Sequence, residues 1–260
     1  MRDPGLTRAI EKVGGVAELA RKIGIAQPSV SNWNRVPAQR VIAVEAATGI
    51  SRRELRPDLY DESEPVGNQA IDPIDAGRAH EYLLLGSLLS EPPSKKLLAA
   101  IARLSGDDTP LGRAHAALGA AAQDAVAGAV EREYFDLFIG VGRGEVLPYA
   151  SYYLTGFLHE RPLARLRGDL LEFGIERSDN NPEPEDNAAT LCEIMAGFAD
   201  GRFAASHEQQ RQFFEKHIAP WMGRMFADLE KAGAAQFYRP VGALGRLFLE
   251  IEAEAFRFAN

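Results

Sequence analysis

The sequence predicts an all-α protein in two parts, a small helical domain followed by a larger one. Three observations carry this. Apolar residues recur at helical spacing along the chain, and no alternating strand pattern competes with them. Residues 61–73, Asp-Glu-Ser-Glu-Pro-Val-Gly-Asn-Gln-Ala-Ile-Asp-Pro, are polar, acidic and punctuated by proline and glycine, which is the composition of a linker. Charge also changes sign across that stretch: residues 1–60 hold ten Lys/Arg against six Asp/Glu, a net +4, whereas residues 61–260 hold 19 against 31, a net −12. The expected division is a first domain over 1–60, a linker over 61–74 and a second domain over 75–260. A basic head suits phosphates, and an acidic body suits a basic peptide.

The first domain shows four short amphipathic segments, Leu6–Val13, Val16–Ile23, Gln27–Asn34 and Ala38–Thr48, separated by Gly14-Gly15, Gly24 and Pro37. The second and third have helix-turn-helix spacing. Ala20 is small enough for a close helix approach, Gly24 can take a left-handed turn, and Leu19, Ile25, Val30 and Trp33 are expected to fill the inner faces. The pattern resembles Cro-like and YdaS-like regulators over about the first sixty residues. A recognition helix reads base edges through polar side chains near its N-terminus, so Gln27, Ser29, Ser31 and Asn32 are the candidate readers. Arg35 and Arg40, with Arg21 or Lys22, are candidates to hold phosphates. The plainer reading is a helical domain whose polar surface is only solvated.

Beyond the linker, helical segments are expected near 75–90, 93–104, 111–139, 148–157, 161–173, 187–199, 208–218, 220–232 and 240–257. Leu191, Ile194, Met195 and Phe198 fall on one helical face, as do Met222, Met225, Phe226 and Leu229; both stripes read as core. Pro220 is expected to start a helix.

Three stretches carry a family likeness: Glu133–Gly140 (Glu-Tyr-Phe-Asp-Leu-Phe-Ile-Gly), Leu147–Phe157 (Leu-Pro-Tyr-Ala-Ser-Tyr-Tyr-Leu-Thr-Gly-Phe) and Pro182–Met195 (Pro-Glu-Pro-Glu-Asp-Asn-Ala-Ala-Thr-Leu-Cys-Glu-Ile-Met). In order and interval they resemble the TorD-like molybdoenzyme maturation chaperones over residues 75–255, with Phe237–Glu252 also similar. The resemblance implies an all-helical domain that binds a molybdenum- or tungsten-enzyme precursor through its twin-arginine leader and holds it until the cofactor is inserted. The chaperone itself keeps no cofactor and at most touches the client's molybdenum cofactor transiently. The wording of Pro148–Phe157 and Phe237–Arg246 resembles the subgroup that accompanies formate dehydrogenase.

Carried over by motif, the peptide-binding residues are Leu137, Phe138, Tyr149, Ser151, Tyr153 and Asp186, with Glu183, Glu185 and Asn187 beside it. A leader joins an arginine pair to an apolar segment, so carboxylates next to aromatic side chains suit it. Asn187 stands where the family usually has histidine, and an amide cannot take up a proton near neutral pH. Asp186 also precedes an apolar-periodic run, where capping that helix is the alternative role, and Tyr149, Tyr152 and Tyr153 are of a type common in helical cores.

The rest of the inventory argues against catalysis and against a resident metal. His80, His115, His159, His207 and His217 are scattered, and Cys192 lies inside an apolar stripe with no histidine partner suggested. Gly140-Val-Gly-Arg-Gly lacks the strand before it and the Lys-Ser or Lys-Thr ending of a phosphate loop. A single cysteine and no Cys/His zinc spacing favour a reduced compartment. Neither a secretory leader nor a membrane span is expected: Met1–Ile10 lacks the basic-then-apolar pattern, and Ala116–Val130 is broken by Gln123 and Asp124. A cytoplasmic protein follows. The competing reading is a one-component transcription regulator whose body senses a small ligand; a third is a relic head that only promotes assembly. Because one helix-turn-helix makes few contacts, a homodimer is expected for specific DNA binding.

Overall fold

A computed structural model describes residues 2–25, 27–60, 71–175 and 183–258. The chain divides into two units, Met1–Ala70 and Ile71–Asn260, each with a core of its own. Residues 61–70, the centre of the expected linker, and Pro182 of the third motif lie outside the described residues.

In the first unit, Asp3 accepts from the Gly5 amide at 2.8 Å to start α1 (Pro4–Val13), which ends at Gly14 in the left-handed region (φ 88°). Helices α2 (Val16–Lys22) and α3 (Gln27–Ser31) follow around Gly24 (φ 71°). A 3-10 turn (Ala38–Arg40) runs into α4 (Val41–Thr48), and the short α5 (Arg52–Leu55) and α6 (Pro57–Tyr60) complete the unit. These last two are missing from the periodicity reading because one turn of helix has no period to detect. Leu6, Leu19, Val30, Val36, Val41, Val44 and Leu55 are fully buried, with Ile25 and Trp33 packed against them. At Gly5 a Cβ would lie 2.6 Å from the carbonyls of Glu54 and Leu55, so α1 meets α5 backbone to backbone. The segment expected over 27–34 is shorter than predicted: α3 stops at Ser31, and the chain turns so that Val36 enters the core.

The second unit opens on α7 (Pro73–Ser90), capped by Asp72, so this helix begins two residues inside the stretch expected to link the domains. Next come α8 (Lys95–Ile101), α9 (Pro110–Gln123) and α10 (Ala127–Tyr134), started by Ser94, by Thr109 and, without a side-chain cap, after Val126. The single helix expected over 111–139 is thus broken. Val126 takes an extended conformation, and α10 passes into a π-turn (Phe135–Ile139) that ends at Gly140 (φ 63°). The unit continues with α11 (Ala150–Thr155), α12 (Arg161–Glu172), α13 (Ala188–Ala199), α14 (His207–His217), α15 (Met222–Lys231) and α16 (Tyr238–Phe258). Pro220 sits in the turn before α15 rather than at its first residue.

Both apolar stripes are core, and α13 is buried around most of its circumference, with Cys192 fully enclosed. Helix α13 lies along α7, and α16 lies against α15 and α9. At Gly245 a Cβ would fall 2.4 Å from the Phe226 ring, so α15 and α16 touch where no larger residue fits.

Two buried polar arrangements lock these helices. Glu133, on α10, accepts from the amides of Gln236, Phe237 and Tyr238 at 2.8, 3.1 and 2.7 Å, satisfying free donors at the start of α16. Arg78, on α7, binds both oxygens of Glu252 on α16 (2.8 and 3.0 Å), while Tyr82 donates to the same carboxylate at 3.0 Å.

Replacing Glu133 by Gln leaves backbone donors facing an amide, and a loss of about 1–3 kcal/mol in urea unfolding is expected. A second prediction concerns His115, whose Nε2 lies 2.6 Å from Glu81 between α9 and α7. The hydrogen bond to Glu81 raises its pKa from the ordinary histidine value. Its stabilisation is therefore complete below about pH 6.5 and is lost as pH rises through the folded-state pKa. Unfolding of His115→Gln beside the parent should show a larger deficit near pH 5.5 than near pH 8.5.

Candidate functional site

In the first unit, burial of Val30 turns the rest of α3 outward. Gln27, Ser29, Ser31 and Asn32 are all exposed, and Arg35 and Arg40 are exposed beside them. The Ser31 hydroxyl is engaged, donating to the Gln27 carbonyl at 3.1 Å. Arg21 is held by Glu18 at 2.7 Å, whereas Lys22, the other candidate for that phosphate role, makes no salt bridge among the described residues.

In the second unit, the carboxylate-bearing motif folds against the tyrosine motif. Asp186 is 1% exposed and accepts from the Ser151 amide at 2.8 Å and the Ser151 hydroxyl at 2.5 Å. Its carbonyl accepts from Ala150, and Ala188 donates to the Pro148 carbonyl. Two helix starts are thereby fixed side by side. Asp186 caps α11 from across the fold, while the cap of its own helix, α13, is Asn187, whose Oδ1 accepts from Ala189 at 2.8 Å. An N-cap needs only an acceptor, and the Asn187 amide supplies one.

The other expected contact residues separate into an inner and an outer set. Leu137 and Phe138 are buried, and the Phe138 ring lies 5.0 Å from Tyr134 and 5.4 Å from Tyr238. Glu185 is 8% exposed and holds Arg167 of α12 with both oxygens at 2.8–3.1 Å. Leu137, Phe138, Ser151, Glu185 and Asp186, expected to meet a peptide, thus face the protein interior or another side chain. Tyr149 and Tyr153 are half-buried, with hydroxyls on Glu183 (2.5 Å) and Asp228 (2.9 Å). Burial, reinforced by those carboxylates, pushes both phenols up, so both remain donors. Glu183 is exposed.

Beside this outer set lies a feature the motif reading did not pick out. An open cleft of about 400 Å3 is lined by Pro92, Gly128, Glu131, Arg132, Tyr134, Phe135 and Ile139. The π-turn makes its wall: the wide turn carries Leu137 and Phe138 inward while Ile139 remains 55% exposed. Burial, with the charges of Glu183 and Glu91, pushes the Tyr134 phenol up to about 12, so those carboxylates border the same region. A smaller cavity of about 60 Å3 touches Asp186, Arg165 and His217 and is too small for a peptide. The available signal for the cleft is the apolar Phe135 and Ile139 inside the first motif; Gly128 comes from the start of α10 and Pro92 from more distant sequence. No cluster of three or more metal-ligating side chains occurs among the described residues, and no helix among them is long and apolar enough to cross a membrane.

The two family matches fall in different parts of the chain. Residues 105–227 match the family model described as nitrate reductase delta subunit, and residues 6–64 match that described as bacterial toxin YdaS. The chaperone protein TorD of Vibrio cholerae is 28% identical over 127 residues, covering 45% of this chain and 58% of the relative. The transcriptional regulator YdaS of Escherichia coli is 40% identical over 58 residues, 20% of this chain and 59% of the relative. The chain thus spans less than two thirds of the length of these curated relatives. A crystal structure of a redox enzyme maturation protein from Archaeoglobus fulgidus covers 72% of this chain and 99% of its own, at 19% identity and a TM-score of 0.45. The chain is thus similar to the YdaS family over residues 6–64 and to the nitrate reductase delta subunit family over residues 105–227, with TorD chaperones similar over 127 residues.

Proposed function

We propose that the second unit is a redox-enzyme maturation chaperone that holds an immature molybdenum or tungsten enzyme through its twin-arginine leader, and that the first unit binds DNA in a regulatory role. The open apolar cleft with carboxylates at its border carries the first reading. An apolar leader segment gains about 25 cal/mol per Å2 removed from water, and the arginine pair gains charge-assisted bonds to Glu131, Glu183 or Glu91. The net −12 of residues 61–260 draws such a peptide in. In this account Tyr149 and Glu183 meet the leader, whereas Leu137, Phe138, Ser151, Glu185, Asp186 and Asn187 hold the wall on which they stand. Tyr153 keeps α11 against Asp228 of α15.

The client is a molybdoenzyme catalytic-subunit precursor, formate dehydrogenase by the wording of Pro148–Phe157 and Phe237–Arg246. The chaperone works in the cytoplasm before export and assists cofactor insertion without catalysing a reaction. It keeps no cofactor itself, and any meeting with the client's molybdenum cofactor is transient. Two copies of the YdaS-like unit in a homodimer read two half-sites about one helical turn apart. A body sensing a small ligand would favour an enclosed apolar pocket, and exposure of Ile139 along the cleft instead favours an extended occupant.

Calorimetric titration with a synthetic peptide bearing an arginine pair before an apolar segment tests the chaperone reading of the second unit. Ile139→Glu and Glu183→Gln should each weaken binding by about 1–3 kcal/mol with unchanged helical content, whereas unaltered affinity in both folded variants contradicts it. For DNA, Gln27→Ala or Asn32→Ala should cost about 1–3 kcal/mol on a selected site and little on random duplex. Equal losses on both duplexes would remove these residues from base reading.

A further inference from the structure

The N-terminal residues, absent from every phosphate-holding assignment above, lie against the recognition helix. Arg2 is exposed, and its Nη2 donates to the carbonyl of Ser31, the last residue of α3, at 3.1 Å. The next amide, Asp3 N, donates to the Asn34 carbonyl at 2.7 Å, and the Asp3 side chain caps α1. Residues 2 and 3 therefore run beside the turn leaving α3. They fix the Arg2 guanidinium next to Ser31 and Asn32, two of the candidate base readers.

Charge accounting within the unit gives this placement its meaning. Arg8 is paired with Glu54, Arg21 with Glu18 and Arg52 with Glu45, and Arg56 is buried on the Val36 carbonyl. Arg2 makes no salt bridge among the described residues, and its hydrogen bond is to a neutral carbonyl. A guanidinium has five donors, so a single bond to Ser31 leaves the rest of the fork available. The carbonyl end of a helix also favours a cation, which orders the side chain before any ligand arrives.

We infer that Arg2 is a DNA-backbone contact, a phosphate clamp delivered beside the recognition helix by residues that fold back onto its last turn. This rests on the DNA-binding reading of the first unit and adds to it a residue outside the helix-turn-helix itself. A phosphate contact makes a specific demand on the salt dependence of binding. Each phosphate neutralised contributes about 0.9 to the slope of log K against log salt, irrespective of sequence. A residue that only braced α3 would alter affinity and leave that slope unchanged.

The test uses the full chain and a random-sequence duplex of about 20 base pairs, with fluorescence anisotropy titrations at several salt concentrations. For Arg2→Ala the slope should fall by about 0.9, with binding about eightfold weaker near 0.1 M salt, the ratio that slope gives on extrapolation from 1 M. Arg2→Lys should restore the slope, and Arg40→Ala reports how another phosphate contact behaves. If the parent binds with a steep slope and Arg2→Ala keeps it, the clamp is refuted while DNA binding stands. If Arg2→Ala loses affinity at constant slope and Lys does not rescue it, Arg2 is a brace and the clamp is again refuted. A parent with no salt-dependent binding overturns both readings.

Discussion

The join between residues 148–151 and 186–188 is the constraint on which the rest of the second unit's site depends. Two helices begin there from antiparallel strands of loop, and each would leave amides unsatisfied if it began alone. Asp186 answers the donors of α11 and Asn187 those of α13, while the backbone exchanges Ala150 and Ala188 amides for the Asp186 and Pro148 carbonyls. A buried carboxylate is costly unless it is fully bonded, so Asp186 fixes Ser151 with little freedom. That fixes the direction in which α11 leaves, and with it the positions of Tyr149 and Tyr153. Glu185 extends the same clasp to α12 through Arg167.

The acidic stretch therefore does two jobs with adjacent residues. Its inner members, Glu185 and Asp186, spend their charge on the fold, and its outer member, Glu183, keeps a face to solvent beside Tyr149. The π-turn supplies the complementary apolar half. By widening one turn it buries Leu137 and Phe138 and keeps Ile139 at the rim of the cleft. A rigid frame carrying an exposed mixed surface is what recognition of a charged, apolar segment requires, because little ordering remains to oppose binding.

Much of this was legible from the residues. The all-helical class, both apolar stripes and the helix-turn-helix core around Leu19 and Val30 follow from spacing, because burial of one helical face leaves a period in the sequence. The cleft did not. A π-turn inserts one residue without changing the apolar character of Phe135–Ile139, so periodicity reads straight through it, as it does through the break at Val126. The sequence offers a cap at Asp186 only as the alternative to peptide contact, and only for the helix that follows it; a cap supplied to α11 from 35 residues away has no local signature. Arg2 was invisible for the same reason, its partner Ser31 being distant in sequence.

For the second unit we propose a closed frame and a leader resting in the cleft beside it. Hydrogen–deuterium exchange of the full chain, with and without saturating arginine-pair leader peptide, addresses that most directly. Slowed exchange is expected over residues 128–139 and at 149–153, with the amides of Ser151 and Ala189 already slow in the free protein. Peptide-induced protection confined to other helices, or an increase in exchange at Ser151 on binding, would contradict it.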